Sequence, residues 1–384
     1  MLGGNLENQN SEEDCKRYCF VVDWYDAVAS LTRRYQFLYY PKDKSVEMYE
    51  YKKHRVFLRR TVCDNISLED LYIGSVINLF SRQLNVVDFG DEFTRRELTN
   101  QTQKTLGLLN AKAVPKMGEM FEFIQNKGFK ITKMKMCVLT RAEAAEFCLG
   151  YKDKEFYMKL IENMTSGPVV ALELLGDDAI CSWLRALGPV NTEEAVASAP
   201  LTISAHFCEA NLCYGPRCAG EAAQQLEFFF PTSGGIIRRN PVVLEDCTCC
   251  VVKPHAVLSG LAPKIIRTIT DAGFEITAIQ MFHLERLCAE EFLEVYKGVV
   301  PEYPSMVTEL TSGPCVAIAL RAKDAPKAFR EMAGPADPEI ARHLRPRSLR
   351  AQFGIDKIKN AVHCTDLPED GILEVEYFFK ILDR

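Results

Sequence analysis

The sequence predicts an α+β chain in which a small all-β module, residues 17–104, precedes two ferredoxin-like βαββαβ domains in tandem, residues 105–230 and 247–384. An internal repeat is the first observation. TSGPVVALEL at 165–174 returns as TSGPCVAIAL at 311–320. GFKITKMKM at 128–136 returns as GFEITAIQM at 273–281, and LEFFFP at 226–231 as VEYFFK at 375–380. Matches in one order at nearly constant separation define a duplicated unit of about 130 residues, the size of a domain. The second observation is that residues 17–104 belong to neither copy and alternate apolar with polar as strands do.

Each element follows from its local pattern. Residues 1–16, MLGGNLENQNSEEDCK, are a polar, acidic tail. They lack the charged start and apolar stretch of a secretion signal, and Leu2 stands where a myristoylation signal needs Gly. YCFVVDWY, YQFLYY, SVEMYEY, RVFLRR, SVINLF and LNVVDFG are read as strands separated by turns such as PKDK. Their Trp24, Tyr35, Phe37, Tyr39 and Tyr40 are read as core at this spacing, with a binding face as the alternative. Each repeat opens on an apolar strand, TLGLLN or CTCCVV. A helix follows, KMGEMFEFIQNKG or LAPKIIRTITDAG, and then the GFKITKMKM or GFEITAIQM strand. A helical pair, an SGP turn and a strand, VVALEL or CVAIAL, come next. A further helix, an irregular segment and a final aromatic strand, LEFFFP or VEYFFK, complete the unit. In the SGP turn Gly is read as supplying positive φ and Pro as starting the extended segment. PTSGGIIRRNPVV, rich in turn formers, lies in a linker spanning 231–246.

Composition excludes several classes. The net charge of −6, without long runs of one sign, argues against non-specific nucleic-acid binding, which needs a basic surface. No run of about 18 apolar residues occurs, so no membrane span is expected. Fifteen cysteines without a secretion signal read as reduced thiols. Cys247, Cys249 and Cys250 in CTCC have no second ligand cluster and are read as packed strand residues, not a metal site.

The second repeat, residues 247–384, resembles the nucleoside diphosphate kinases. The carrying residues are Lys253 in VVKPHAV, Arg330 before AGPADP, Arg350 in RPRSLRAQFG, Asn360 and His363 in NAVHCTD, and Glu374 eleven residues beyond that histidine. The resemblance makes His363 a nucleophile that is phosphorylated and then released, work suited to a neutral imidazole near pH 7. It makes Glu374 the group that orients the ring, and Lys253, Arg330 and Arg350 the cations that neutralise phosphate. Asn360 would hold the ribose 3′-hydroxyl, and Tyr303 aligns near the base-stacking aromatic. Mg²⁺ would bridge the phosphates of ATP or GTP. Two departures stand out. Cys364 and Thr365 replace the family's Gly-Ser, adding a side chain beside the nucleophile. Ala336 replaces a phosphate-contacting Thr.

The first repeat departs further. Asn110 stands at the lysine position, Leu184 and Leu201 at the arginine positions, Tyr214 at the histidine and Gln225 at the glutamate. A tyrosine hydroxyl, with an ordinary pKa of about 10, is a poor nucleophile at neutral pH. This copy therefore reads as a pseudoenzyme.

The stretches WYD, RRYQFLYYPKDKSVEMYE, RVFLRR and YIGSVINLFSRQLNVVDFGD resemble a DM10 module. DM10 followed by two kinase-type domains resembles the homolog-seven family of nucleoside diphosphate kinases almost end to end. That resemblance implies a microtubule inner protein of ciliary and flagellar axonemal doublets, with tubulin, other inner proteins and the γ-tubulin ring complex as partners. It implies a location in the cytoplasm and cytoskeleton, at the axoneme, centrosome and spindle. Two readings stay open: a structural protein whose second copy keeps at most weak activity, and an active nucleoside diphosphate kinase working through phospho-His363. A nuclease reading is weaker, because no carboxylate cluster suited to two metals stands out. A tandem that forms the family's dimer within one chain leads to the expectation of a monomer.

Overall fold

The alternation of the N-terminal residues becomes a six-stranded antiparallel sheet in the computed structural model, which describes residues 16–26, 29–80, 82–99, 103–209, 211–232 and 235–383. The chain divides into two units, Met1–Thr102 and Gln103–Arg384. In the first, strands β1 (Tyr18–Asp26), β2 (Leu31–Tyr40), β3 (Ser45–Glu50), β4 (Val56–Val62), β5 (Val76–Leu79) and β6 (Arg82–Phe89) take the order β4-β3-β2-β1-β6-β5. Phe20, Val22, Tyr35, Phe37, Tyr39, Val46 and Met48 fill the core, as a two-residue period with one buried face requires. Trp24 is half-buried against the rings of Tyr35 and Phe57. Tyr40 carries the Arg60 guanidinium 3.7 Å above its ring. The sequence reading missed a helix, Glu92–Thr99. It is polar in composition, but Asp91 caps it by accepting from the Thr94 amide, and Thr94 Oγ1 accepts from the Cys19 amide at 2.8 Å.

The second unit holds both repeats. The first contributes β7 (Gln103–Leu109), β8 (Lys130–Cys137), β9 (Val169–Gly176) and β10 (Cys213–Tyr214). The second contributes β11 (Cys247–Val252), β12 (Glu275–His283), β13 (Pro314–Arg321) and β14 (Val362–Cys364). Together they make one eight-stranded sheet in the order β10-β7-β9-β8-β12-β13-β11-β14. Each half is ferredoxin-like, with its first and third strands central. The halves join where β8 meets β12, with Lys135 opposite Gln280.

The final aromatic segments are not strands. Leu226–Phe229 end the helix Ala219–Phe229, and 375–380 lie in the helix Asp370–Glu376 and the π-turn Tyr377–Ile381. Runs of aromatics favour strands, but Val375, Phe378 and Phe379 sit at i, i+3 and i+4 and are all buried, so the helical period prevails. The true fourth strands, β10 and β14, are only two and three residues long and fall in the segment read as irregular. The SGP glycines also serve differently. Neither Gly167 nor Gly313 has positive φ. A Cβ on Gly167 would stand 2.9 Å from Ala111 Cβ, so close approach favours Gly there.

The linker is docked at Arg238 and Asn240. Arg238 is buried, bonds Glu143 at 3.1 Å and lies 3.6 Å over the Phe228 ring. Asn240 donates to the Phe379 carbonyl and to Asp383. Asp383 also accepts from Lys135 and Gln280, so one carboxylate ties both halves and the linker together. Beneath the seam, helices Met117–Asn126 and Ala262–Asp271 pack closely. A Cβ on Gly118 would come within 2.5 Å of the Arg267 backbone. Gly118→Val is therefore expected to lower stability by about 1–3 kcal/mol through overpacking. The check is the denaturant midpoint of the Gln103–Arg384 unit, and an unshifted midpoint would contradict the close seam.

Candidate active site

β11 is the central strand of the second copy, and its C-terminal end delivers Lys253 as the N-cap of helix Pro254–Leu258. β14 pairs with it antiparallel, setting His363 opposite Val251. His363 Nε2 lies 2.9 Å from Glu374 Oε2 on helix Asp370–Glu376. A carboxylate only accepts, so Nε2 carries the proton and Nδ1 keeps its lone pair. Phe292 meets the imidazole edge to face, with centroids 4.9 Å apart, and covers the ring.

Thr365 is fully buried beneath this pair. Its hydroxyl accepts from Thr248 Oγ1 at 3.0 Å and the Cys249 amide at 3.2 Å, and donates to Glu374 Oε2 at 2.8 Å. It orients Glu374. Cys364, one residue along β14, points to the other face of the strand, into the core with Cys250 and Leu349. It does not stand beside the His363 imidazole, where the sequence reading put it. Burial pushes its thiol pKa up, opposed by the nearby Arg350.

The cations gather beside β14. Lys253 is buried and donates to the Ile358 carbonyl at 2.8 Å. Burial and then Arg350 lower its pKa to about 8. Arg350 lies across the Gly334 and Val362 carbonyls and reaches Cys364 Sγ at 3.4 Å. Arg330, half-exposed, donates to the carbonyl and carboxylate of Asp366, and Tyr296 donates to the same carboxylate at 2.6 Å. Asn360 donates to the Ala336 carbonyl at 2.9 Å, while its Oδ1 is buried without a partner. Tyr303 is half-buried at the start of helix Tyr303–Leu310 and packs on the cluster that includes Phe292. The sequence reading missed Thr248, Phe292, Tyr296 and Asp366. Only Asp366, directly after Thr365, lay close enough to the histidine motif to be found from spacing.

A ring with one nitrogen tied and the other available, beside cations on a ferredoxin-like sheet, matches a known family. The nucleoside diphosphate kinase family model matches residues 103–234 and 246–383. The model for the N-terminal PH domain of nucleoside diphosphate kinase 7 matches residues 12–100. Nucleoside diphosphate kinase homolog 7 of Mus musculus is 54% identical over 372 residues, covering 96% of this chain and 94% of that protein. Its counterpart in Rattus norvegicus is 53% identical over 387 residues, covering 100% and 97%. The chain belongs to the nucleoside diphosphate kinase homolog 7 family. Among solved structures, a crystal form of the Aquifex aeolicus nucleoside diphosphate kinase is 40% identical, with a TM-score of 0.35, over 36% of this chain and 97% of that one.

In the first copy of the family fold the positions of Lys253, Arg330, Arg350 and His363 carry uncharged side chains, while Lys159 and Arg217 line the cavity and the Glu221 carboxylate lies beside Tyr214. Asn110 caps its own turn by accepting from the Lys112 and Ala113 amides. Leu184 lines the cavity. Leu201 does not: it is 75% exposed, and the residue matching Arg350 is Ser204, on the short helix Ile203–His206. The sequence alignment was three residues out because this stretch lacks a charged anchor. Tyr214 donates to Glu221 at 2.8 Å and accepts from Gln225, and burial drives its pKa far up. A cavity of about 590 Å³ remains, lined by Leu108, Phe147, Leu184, Leu187 and Tyr214 among others. All fourteen described cysteines are free, and no group of His, Cys, Asp or Glu among the described residues suits a metal ion.

Lys253 titrates at lower pH folded, at about 8, than unfolded, at about 10.4, so the unfolded chain binds more protons between these values and stability rises with pH there. The stability deficit of wild type relative to Lys253→Met should therefore shrink from pH 8 to pH 10 in urea titrations. A constant difference would count against a buried, depressed lysine. Thr365→Val removes the hydroxyl under Glu374; if His363 takes up phosphate from ATP, that step should slow by about tenfold in Thr365→Val and recover in Thr365→Ser. Equal rates in stopped assays would rule out the orienting role.

Proposed function

We propose that the second copy moves a γ-phosphoryl group between nucleotides through His363 and that the first copy serves as scaffold. The observation that carries this is the 2.9 Å contact between His363 Nε2 and Glu374, which leaves Nδ1 as the nucleophile. The Nδ1 lone pair forms a bond to the γ-phosphorus as the bond to the β-phosphate oxygen breaks. The donor leaves as a diphosphate. An oxygen of an acceptor diphosphate then takes the phosphoryl group and returns the ring to its starting state. Lys253, with its pKa at about 8, stays largely charged at neutral pH and would meet the phosphates together with Arg330 and Arg350. The unpartnered Oδ1 of Asn360 suits a ribose hydroxyl.

Kinases of this family generally use Mg²⁺ with their nucleotides. The donor set fits an ion that arrives on phosphate oxygens, since the described residues offer cations and no carboxylate cage. Such an ion supplies charge neutralisation on the phosphates. The test is transfer from ATP to GDP by the full chain, followed by chromatography. Wild type should exceed His363→Ala by at least about a hundredfold. Equal rates would end the catalytic reading.

A second reading is favoured by the first copy. The positions matching Lys253, Arg330, Arg350 and His363 are uncharged there, yet its strands complete the eight-stranded sheet. We infer a structural role in ciliary doublet microtubules, with tubulin and neighbouring inner proteins as partners and the γ-tubulin ring complex as a further one. The resemblance and the retained shape support it. Wild type and His363→Ala should pellet equally with microtubules, and failure of both to pellet would overturn it.

A further inference from the structure

The turn between Asn360 and His363 is strained, and something holds it. The Val362 amide donates to the Asn360 carbonyl at 2.9 Å, two residues back, and Ala361 between them has φ +70°. A hydrogen bond of that span around positive φ is the rare form of γ-turn, unfavourable for a residue with a Cβ. Ala361 is fully buried, so its amide must find a partner inside the protein. That partner is His255 Nε2, at 3.2 Å. The Ala361 carbonyl in turn accepts from the Lys253 amide at 2.9 Å.

His255 is itself fixed. An amide N–H only donates, so Nε2 is the unprotonated ring nitrogen and Nδ1 carries the hydrogen. Nδ1 donates to Glu309 Oε1 at 2.6 Å, and the His255 backbone amide donates to the same oxygen at 3.1 Å. Both side chains are buried, at 7% and 5% exposure. Glu309 lies near the end of helix Tyr303–Leu310, so the chain of contacts ties that helix to the turn.

The first copy is an internal control. Lys112 stands at the position of His255, Asn163 at that of Glu309 and Leu212 at that of Ala361. Leu212 has no positive φ. The left-handed residue there is Asn211, φ +57°, a type that tolerates it. The clamp and the strained turn occur together in the copy with the histidine and are both missing from the copy without it.

We propose that His255, held by Glu309, is a positioning residue that keeps the Ala361 turn in its strained form and so aims His363 and Asn360. Its effect on rate rests on the kinase reading of the second copy, whereas its effect on the turn does not. The full chain is compared as wild type, His255→Ala and His255→Gln, the last retaining an acceptor. Amide exchange is followed by mass spectrometry in peptides covering 358–364 and in β12. Histidine labelling by γ-labelled ATP with Mg²⁺ is timed at saturating and limiting ATP. In His255→Ala, exchange confined to 358–364 should quicken by about tenfold, and labelling at saturating ATP should slow by about tenfold with half-saturation nearly unchanged. His255→Gln should recover most of both. Unchanged exchange and rate would overturn the proposal. So would faster exchange in β12 as well, without rescue by Gln, which marks general destabilisation. If wild type takes no label, the kinase reading has failed and exchange decides: quickening limited to 358–364 supports the clamp, and no change refutes it.

Discussion

The pairing of β11 with β13 along its whole length, and with β14 over three residues, positions most of the site. The β14 pairing puts His363 on the sheet edge. The end of β11 releases Lys253, and its start supplies Thr248 and the Cys249 amide, which grip Thr365 and through it Glu374. Strand pairing and the buried Thr365 side-chain bonds do this work together, so the arrangement is built by the protein itself. Preorganisation of this sort is what an electrostatic site requires.

The same sheet explains the duplication. An isolated ferredoxin-like half leaves the edge of its second strand open, and open edges are prone to unwanted pairing. Here β8 and β12 cover one another, and the Asp383 carboxylate gathers Lys135, Gln280 and Asn240 at the junction. The first copy can lose its cations and its nucleophile without losing this service. Tyr214 and Gln225 occupy the histidine and glutamate positions, bonded to one another and both donating to the Glu221 carboxylate, so their donors are satisfied without a ligand.

Much of the fold was legible in the sequence because it was written twice. Repeated strands and helices gave the ferredoxin-like order, and alternation gave the sheet of the first unit. Legibility failed where length or period misled. β10 and β14 are too short to carry a pattern, and Phe378 and Phe379 look like a strand until their pairing with Val375 is noticed. In the site, Lys253, Arg330, Arg350, Asn360, His363 and Glu374 could be named from the resemblance to the nucleoside diphosphate kinases, and they lie around β14. Tyr303 was named too and packs on the cluster that includes Phe292. Thr248, Phe292, Tyr296 and the His255–Glu309 pair come from distant segments, and no local pattern announces a contact made only by folding.

The account stands most directly on the chemical fate of His363. Full-length protein incubated with γ-labelled ATP and Mg²⁺, then digested under alkaline conditions and mapped, should carry one acid-labile phosphate on His363 and none on residues 103–230. Folded protein without label, or label that persists in His363→Ala, would contradict the claim that the second copy alone retains the chemistry.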